Sequence, residues 1–249
     1  MDWAFFRRWF PGETNNRTGM YEELARLMPE RGKILDLGCG ANIHLTCFQT
    51  PERETWGVDF HEHPCLNLRE RFRNLRPDGS IPFPDDTFHL VFANMVLEHV
   101  AKPGIFLAEV ARVLTPGGYF IGHSINGGHY VTAIRRLIGT LPHVLNQRLV
   151  RKLYGRAEHD TFQAYYRLNT PDCIARSARP HGLSLLGVRR YASQGYFQFS
   201  RQLFRCAVIA DWLLEKLAPG RGRLYFTVVL RKGETVDAPN SGPARIAAA

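Results

Sequence analysis

Lys33-Ile-Leu-Asp-Leu-Gly-Cys-Gly40 decides how this chain is read, together with Val58-Asp59, nineteen residues further on. Ile34, Leu35 and Leu37 form a short apolar run of the kind that becomes a buried strand, and Gly38 and Gly40 end it in a tight turn. Glycines at such a turn let the backbone approach a ligand, because no Cβ stands in the way. A second strand, Thr55-Trp-Gly-Val-Asp59, brings a carboxylate to where it can accept from both hydroxyls of a ribose. The pair points to a nucleoside-containing ligand.

Two details of the turn argue against a dinucleotide. The fingerprint G-x-G-x-x-G needs glycine at position 43, and this chain has Ile43. Asp36 stands at the strand end just before the glycines, where a carboxylate repels a diphosphate. S-adenosylmethionine carries no phosphate, and its sulfonium and ammonium make a neighbouring acid favourable. A nicotinamide dehydrogenase is therefore the most distant of the readings considered.

At these residues the chain resembles the class I S-adenosylmethionine-dependent methyltransferases, whose first motif reads acid-x-Gly-x-Gly, matched by Asp36, Gly38 and Gly40. Asn42 stands where many members have a third glycine. The stretch Asp78-Gly-Ser-Ile-Pro-Phe-Pro-Asp-Asp-Thr-Phe-His-Leu-Val-Phe-Ala-Asn-Met-Val-Leu-Glu-His-Val100 resembles the family's third and fourth motifs. His89 departs from them, because relatives usually have aspartate there. The resemblance implies S-adenosyl-L-methionine as cofactor, held by Asp36, Gly38, Gly40, Asp59, Phe60, Asp78, Gly79, Asn94 and Met95. It implies that Asp78 faces the adenine amino group. An ordinary Asp-Gly turn is the competing reading of Asp78 and Gly79.

The rest of the chain fits an α/β fold: a doubly wound, mostly parallel seven-stranded Rossmann-like sheet with a helical insertion after the fifth strand. Residues 20 to 29 read as a helix ending at Pro29, and residues 34 to 124 as five strands alternating with helices or loops. Leu90 to Ala93 is a nearly continuous apolar run, as a strand covered on both faces requires. Pro103 starts a helix that Thr115-Pro-Gly-Gly118 stops, and Tyr119 to Ser124 follows as the fifth strand. Val131 to Tyr154 has helical spacing broken at Pro142, and Thr170-Pro-Asp172 is a helix start. Residues 183 to 191 and 223 to 231 supply the last two strands, with a helix over 200 to 217 between them. Residues 1–232 are expected to form one domain, with 126–180 its variable substrate-side segment and 233–249 a disordered tail.

With 45% hydrophobic residues in 249, the chain can bury a full core, and no run approaches the length of a membrane-spanning helix. Five cysteines with no C-x-x-C pair suit a reducing cytoplasm. The start, Met1-Asp-Trp-Ala-Phe-Phe-Arg-Arg-Trp-Phe10, lacks a secretory pattern. Its aromatics around Arg7-Arg8 suit either a peripheral membrane contact or a lid over the cleft. The net charge of +9, with Arg135, Arg136, Arg148, Arg151, Lys152 and Arg156 in one segment, suits an anionic acceptor, a lipid surface or RNA; a solvated basic face is the plain alternative. His61-Glu-His-Pro-Cys65 looks like a metal-ligand run, but without a second cluster no metal is expected.

The expected reaction is methyl transfer to a small molecule, a glycan or a lipid precursor, most simply at a hydroxyl. A neutral imidazole would help by taking the proton, its unperturbed pKa being about 6.5. The candidates are His99, His123 and His159; His129 flanks the fifth strand as well. An RNA methyltransferase and a non-catalytic S-adenosylmethionine-binding scaffold are the alternatives.

Overall fold

The computed structural model describes residues 2–63, 66–139, 163–192, 197 and 199–234. Its centre is a seven-stranded sheet in the order β3-β2-β1-β4-β5-β7-β6. The strands are β1 (Gly32–Leu37), β2 (Arg53–Asp59), β3 (Phe72–Asn74), β4 (Phe88–Asn94), β5 (Leu114–Ile125), β6 (Leu183–Tyr191) and β7 (Tyr225–Lys232). Strands β1 to β5 pair in parallel, and β7 is antiparallel to both β5 and β6. The order reverses between β1 and β4, so the carboxyl ends of these two strands diverge into a crevice, the usual ligand position of an open α/β sheet.

The apolar run of β4 is continuous because both faces of the sheet are covered. Val91 and Ala93 face a core that includes Leu107 and Val110 of α3 (Pro103–Val113). Ile174 and Ala178, from the helix Pro171–Ala178, complete that face. Leu90 and Phe92 face the other way, against Met20 and Leu24 of α2 (Asn16–Leu27). Neighbouring residues of one strand thus serve opposite layers.

Three elements differ from the sequence reading. The first long helix starts earlier, because the Asn15 side chain accepts from the Arg17 N–H and caps it. β5 begins at Leu114, and Thr115 to Gly118 form an irregularity inside it: Phe88 pairs with Leu114, then Leu90 with Tyr119. Gly117, at φ 77°, lets the chain bulge there and rejoin the ladder. A short α1 (Trp3–Trp9), capped by Asp2, forms where only a lid or a membrane contact was considered. The insertion is described as α4 (Tyr130–Gly139), α5 (Pro171–Ala178) and the extended stretch before α5; the remainder of 126–180, His159 included, lies outside the described residues. So does the tail beyond Glu234. The chain between β6 and β7 forms α6 (Arg201–Leu217), capped by Ser200.

Candidate functional site

The turn after β1 carries the site. Gly38 sits at φ 75°, and a Cβ there would stand 2.4 Å from Cγ2 of Val96, so glycine is required twice over. Gly40 is also left-handed, at φ 46°, and a Cβ on it would meet nothing within 4 Å. Its backbone therefore faces open space. Asn42, also left-handed, is buried and donates from Nδ2 to Asn67; asparagine tolerates this backbone better than most residues, which explains its use beside the glycines.

Asp59 ends β2 and is tied to the turn. Its Oδ2 accepts from Gly40 N at 2.9 Å and its Oδ1 from Phe60 N at 2.7 Å. A carboxylate oxygen accepts more than one bond, so both oxygens retain capacity for a ribose. A cavity of about 480 Å³ opens beside them. Gly38, Asp59, Phe60, Asp78, Gly79, Asn94, Met95 and His99 all line it, which brings together most of the residues singled out in the sequence. Ile81, Ile105 and Phe106 supply apolar wall, suited to a flat base. Asp78 accepts from both the backbone and the hydroxyl of Ser80, so its Asp-Gly turn and its place on the wall hold together. Met95, at φ 55°, donates its N–H to the His123 carbonyl and thereby stays at the strand end.

Asp36 is buried behind the glycines, 2% exposed, and its Oδ2 has no hydrogen-bond partner. Burial first, and the nearby Asp59 second, push its carboxyl up to about 8. An unpaired buried carboxyl fits a cationic ligand end and disfavours a phosphate. The donor set therefore fits S-adenosylmethionine: Asp36 toward its positive end, Asp59 on the ribose, and Asp78 with the apolar wall around the base.

The far wall comes from the chain after the insertion. Gln163 and Tyr165 reach the cavity, and the backbone N–H groups of Tyr165 and Tyr166 donate to the carbonyl of Glu98. The Glu98 carboxylate is itself buried and accepts from Ser124 Oγ at 2.6 Å. His99 donates from Nδ1 to the Gln163 carbonyl at 2.9 Å, since a carbonyl can only accept.

Of the other candidates, His123 and His129 lie among the described residues and stand elsewhere, whereas His159 lies outside them. His123 is 3% exposed at the end of β5, bonded through Nδ1 to Thr227 Oγ1, and it is absent from the cavity wall. Burial depresses its imidazole to about 4. His129 accepts from Val131 N through Nδ1 and donates from Nε2 to the buried Asp211 at 3.2 Å, joining α4 to α6. His44 had no sequence signal. It bridges Tyr21 Oη at 3.1 Å and Asn94 Nδ2 at 2.8 Å, and so fixes a residue of the cavity wall. Its partners lie on other elements, which no local spacing could reveal. Among the described residues there is no cluster that could hold a metal ion.

Residues 35–122 match the methyltransferase-domain family. A ubiquinone biosynthesis O-methyltransferase from Thiobacillus denitrificans is 28% identical over 161 residues, 61% of this chain and 64% of that protein. A ubiquinone/menaquinone biosynthesis C-methyltransferase from Desulfotalea psychrophila is 34% identical over 98 residues, 36% of this chain and 40% of that protein. The match thus spans less than two thirds of either relative's length. A solved S-adenosylmethionine-dependent methyltransferase from Methanosarcina mazei shares the fold, with a TM-score of 0.56 at 16% identity over 86% of this chain and 98% of that one. Residues 35–122 thus carry a methyltransferase domain, and the sheet that holds them has the fold of the solved S-adenosylmethionine-dependent methyltransferases.

Proposed function

We infer that this protein transfers a methyl group from S-adenosylmethionine to a hydroxyl of a small organic acceptor or lipid precursor. The carrying observation is the cavity at the sheet's carboxyl edge, where Asp59, Asp78 and the glycine turn meet the wall formed by His99, Gln163 and Tyr165. The cofactor supplies an electrophilic methyl whose carbon–sulfur bond breaks with its electron pair left on sulfur. The protein's part is to align the acceptor oxygen with that bond and to keep water out. Of the histidines singled out, His99 lines the cavity among the described residues, and an imidazole there is suited to take the hydroxyl proton. His123 is held in the sheet by Thr227, and its depressed pKa makes it a weak base.

The O-methyltransferase relative supports oxygen as the methylated atom, because it is matched over a longer stretch than the C-methyltransferase. Incubation with methyl-labelled cofactor and quinol, phenol or other hydroxyl-bearing acceptors tests the reading. Label in an alkali-stable methyl ether supports it, whereas label on carbon or nitrogen overturns the choice of atom. Calorimetry with S-adenosylhomocysteine and NAD side by side tests the cofactor, and tight NAD binding would falsify that assignment.

A further inference from the structure

The stretch 163–169, which closes the far wall of the cavity, belongs to no helix or strand. Tyr166 within it sits at φ 52°, a conformation that is unfavourable for a bulky residue and persists only where its surroundings hold it. What fixes this wall must therefore come from elsewhere in the chain. Leu168 is fully buried in the main core and contributes, but apolar contact has no direction and does not orient Gln163 or Tyr165.

Glu98 supplies direction from both its backbone and its side chain. It lies in the short turn Leu97–His99 after β4, between Leu97 of the core and His99 of the cavity wall. Its carbonyl accepts from Tyr165 N at 2.8 Å and from Tyr166 N at 3.0 Å. Its side chain is buried, the residue being 4% exposed, and Oε2 accepts from Ser124 Oγ at 2.6 Å, a length typical of a bond to a charged oxygen. Ser124, near the end of β5, accepts in turn from Asn169 Nδ2 at 3.1 Å. Asn169 Nδ2 also donates to the Ile125 carbonyl at 3.0 Å, and the Asn169 carbonyl accepts from Gly127 N at 2.7 Å. A Cβ on Gly127 would stand 3.1 Å from that of Asn169, so the two segments meet closely.

The sense of this chain of bonds follows from its first member. A carboxylate only accepts, so the hydroxyl hydrogen of Ser124 goes to Glu98 and its lone pairs are left for Asn169. Asn169 must then present its amide nitrogen. Turned over, its Oδ1 would face the Ser124 oxygen and the Ile125 carbonyl, neither with a hydrogen to give. Among the described residues that Oδ1 is buried without a partner, which marks an orientation imposed from outside the residue.

We propose that Glu98 is a positioning residue for the acceptor wall: its carboxylate, acting through Ser124 and Asn169, holds the 163–169 stretch against β5 and so sets where His99, Gln163 and Tyr165 meet the acceptor. The proposal rests on the reading of that wall as the acceptor's. Without the carboxylate, Ser124 and Asn169 can pair in either sense, and the wall loses its single arrangement.

Amide deuterium exchange of the full chain, with no acceptor present, tests this. In Glu98→Ala the Tyr165 and Tyr166 amides should exchange about tenfold faster or more, the scale of one lost hydrogen bond to a charged group, while those of β1 and β4 keep their protection. Glu98→Gln carries an amide oxygen that can accept the same Ser124 bond, and should restore protection to within about threefold. Glu98→Met fills the space with no such acceptor and should not restore it. The His99 ring resonances should shift in the alanine and methionine variants and return with glutamine. Ser124→Ala leaves Glu98 in place, breaks the same chain, and decides the matter if Glu98→Ala fails to fold. Unchanged exchange in Glu98→Ala or Ser124→Ala overturns the proposal. So does methionine protecting as well as glutamine, which would make the role packing, or a loss that spreads to β1 and β4. On a quinol or phenol that takes label, kcat/KM for the acceptor should fall by about tenfold in Glu98→Ala and recover in Glu98→Gln, with S-adenosylhomocysteine affinity unchanged. Label on carbon or nitrogen together with these exchange effects supports the role of Glu98 and removes only the choice of oxygen, so the two readings fail separately.

Discussion

The two walls of the cavity are made in different ways. On the β1–β2 side, a carboxylate reaches the glycine turn across nineteen residues, and strand order does the rest. On the opposite side, His99 is held by the carbonyl of Gln163 and Arg167 reaches the carbonyl of Ala101, contacts separated by 64 and 66 residues. The first wall answers one chemical demand, a nucleoside with a cationic tail, which few arrangements of short-range residues satisfy. The second is closed by an insertion whose backbone is pinned to Glu98, so its side chains can change with the acceptor while the pin remains.

The largest effect should follow from breaking the first wall. Asp59→Ala removes the acceptors for the ribose and for Gly40 N together. Hydrogen bonds to a charged acceptor contribute about 1.5–3 kcal/mol each, so two lost from the ligand weaken S-adenosylhomocysteine by about a hundredfold or more. Calorimetry measures this, and an unchanged affinity would place the ribose elsewhere. Breaking the second wall should leave binding intact and reduce turnover. His99→Ala is expected to lower kcat by about a hundredfold with cofactor affinity unchanged, the usual scale for a lost general base. Gln163→Ala is the control: the carbonyl that holds His99 belongs to the backbone, so the substitution should change kcat by less than about twofold. Equal losses in both variants would mean that the wall acts by shape and not by proton transfer.

The same contrast explains what was legible in the sequence. β1, β2 and β4 are short apolar runs ended by turn residues, and each can be read in place. β3 is only Phe72–Asn74, with one buried residue, and leaves no periodic trace. The bulge in β5 reads as a helix stop because Thr-Pro-Gly-Gly is punctuation for either. Seven of the nine expected cofactor residues lie on the cavity wall because their motifs are local to strand ends; Asp36 and Gly40 do not line it. His99 was visible in Leu-Glu-His-Val just past the fourth strand, but what separates a place on the wall from mere packing of the next helix is a carbonyl brought back by the insertion. His44 was invisible for the same reason, its partner Asn94 lying fifty residues away.

A pH series sharpens the comparison within the first wall. Asp59 opposes the ionisation of Asp36 by adding negative charge, while Cys39 and Tyr21 nearby have raised pKa values and stay neutral. With its carboxyl near 8, Asp36 is protonated in the free protein at neutral pH. A sulfonium or ammonium beside it favours the carboxylate, so cofactor binding expels the proton below that pH. Affinity should rise by up to about tenfold per pH unit toward 8 and level off above it. The sign for stability is opposite. A carboxyl raised in the folded state stabilises fully below its unfolded value of about 4, and that contribution is lost as pH rises through 8. Thermal melts of the free protein should therefore fall across this window, and less steeply with cofactor bound. Asp36→Asn should flatten both trends.

The smallest expected effect tests where the two walls join. His44 is half-buried, and burial first, with Arg17 second, holds its imidazole below the usual histidine range, so it is neutral at pH 7. With the Asn94 amide nitrogen facing Nε2, the ring takes the Nδ1–H tautomer and donates to Tyr21 Oη. Both contacts fix Asn94 at the end of β4, between the cofactor turn and His99. His44→Ala leaves Asn94 free to turn, at a cost of about 1 kcal/mol for a neutral hydrogen bond, or about fivefold in cofactor affinity. His44→Gln keeps a donor and an acceptor on one side chain and should recover most of that loss. A purely steric role would be rescued equally by His44→Leu. If leucine restores affinity as well as glutamine does, the bridge is packing, and Asn94 is held by the strand alone.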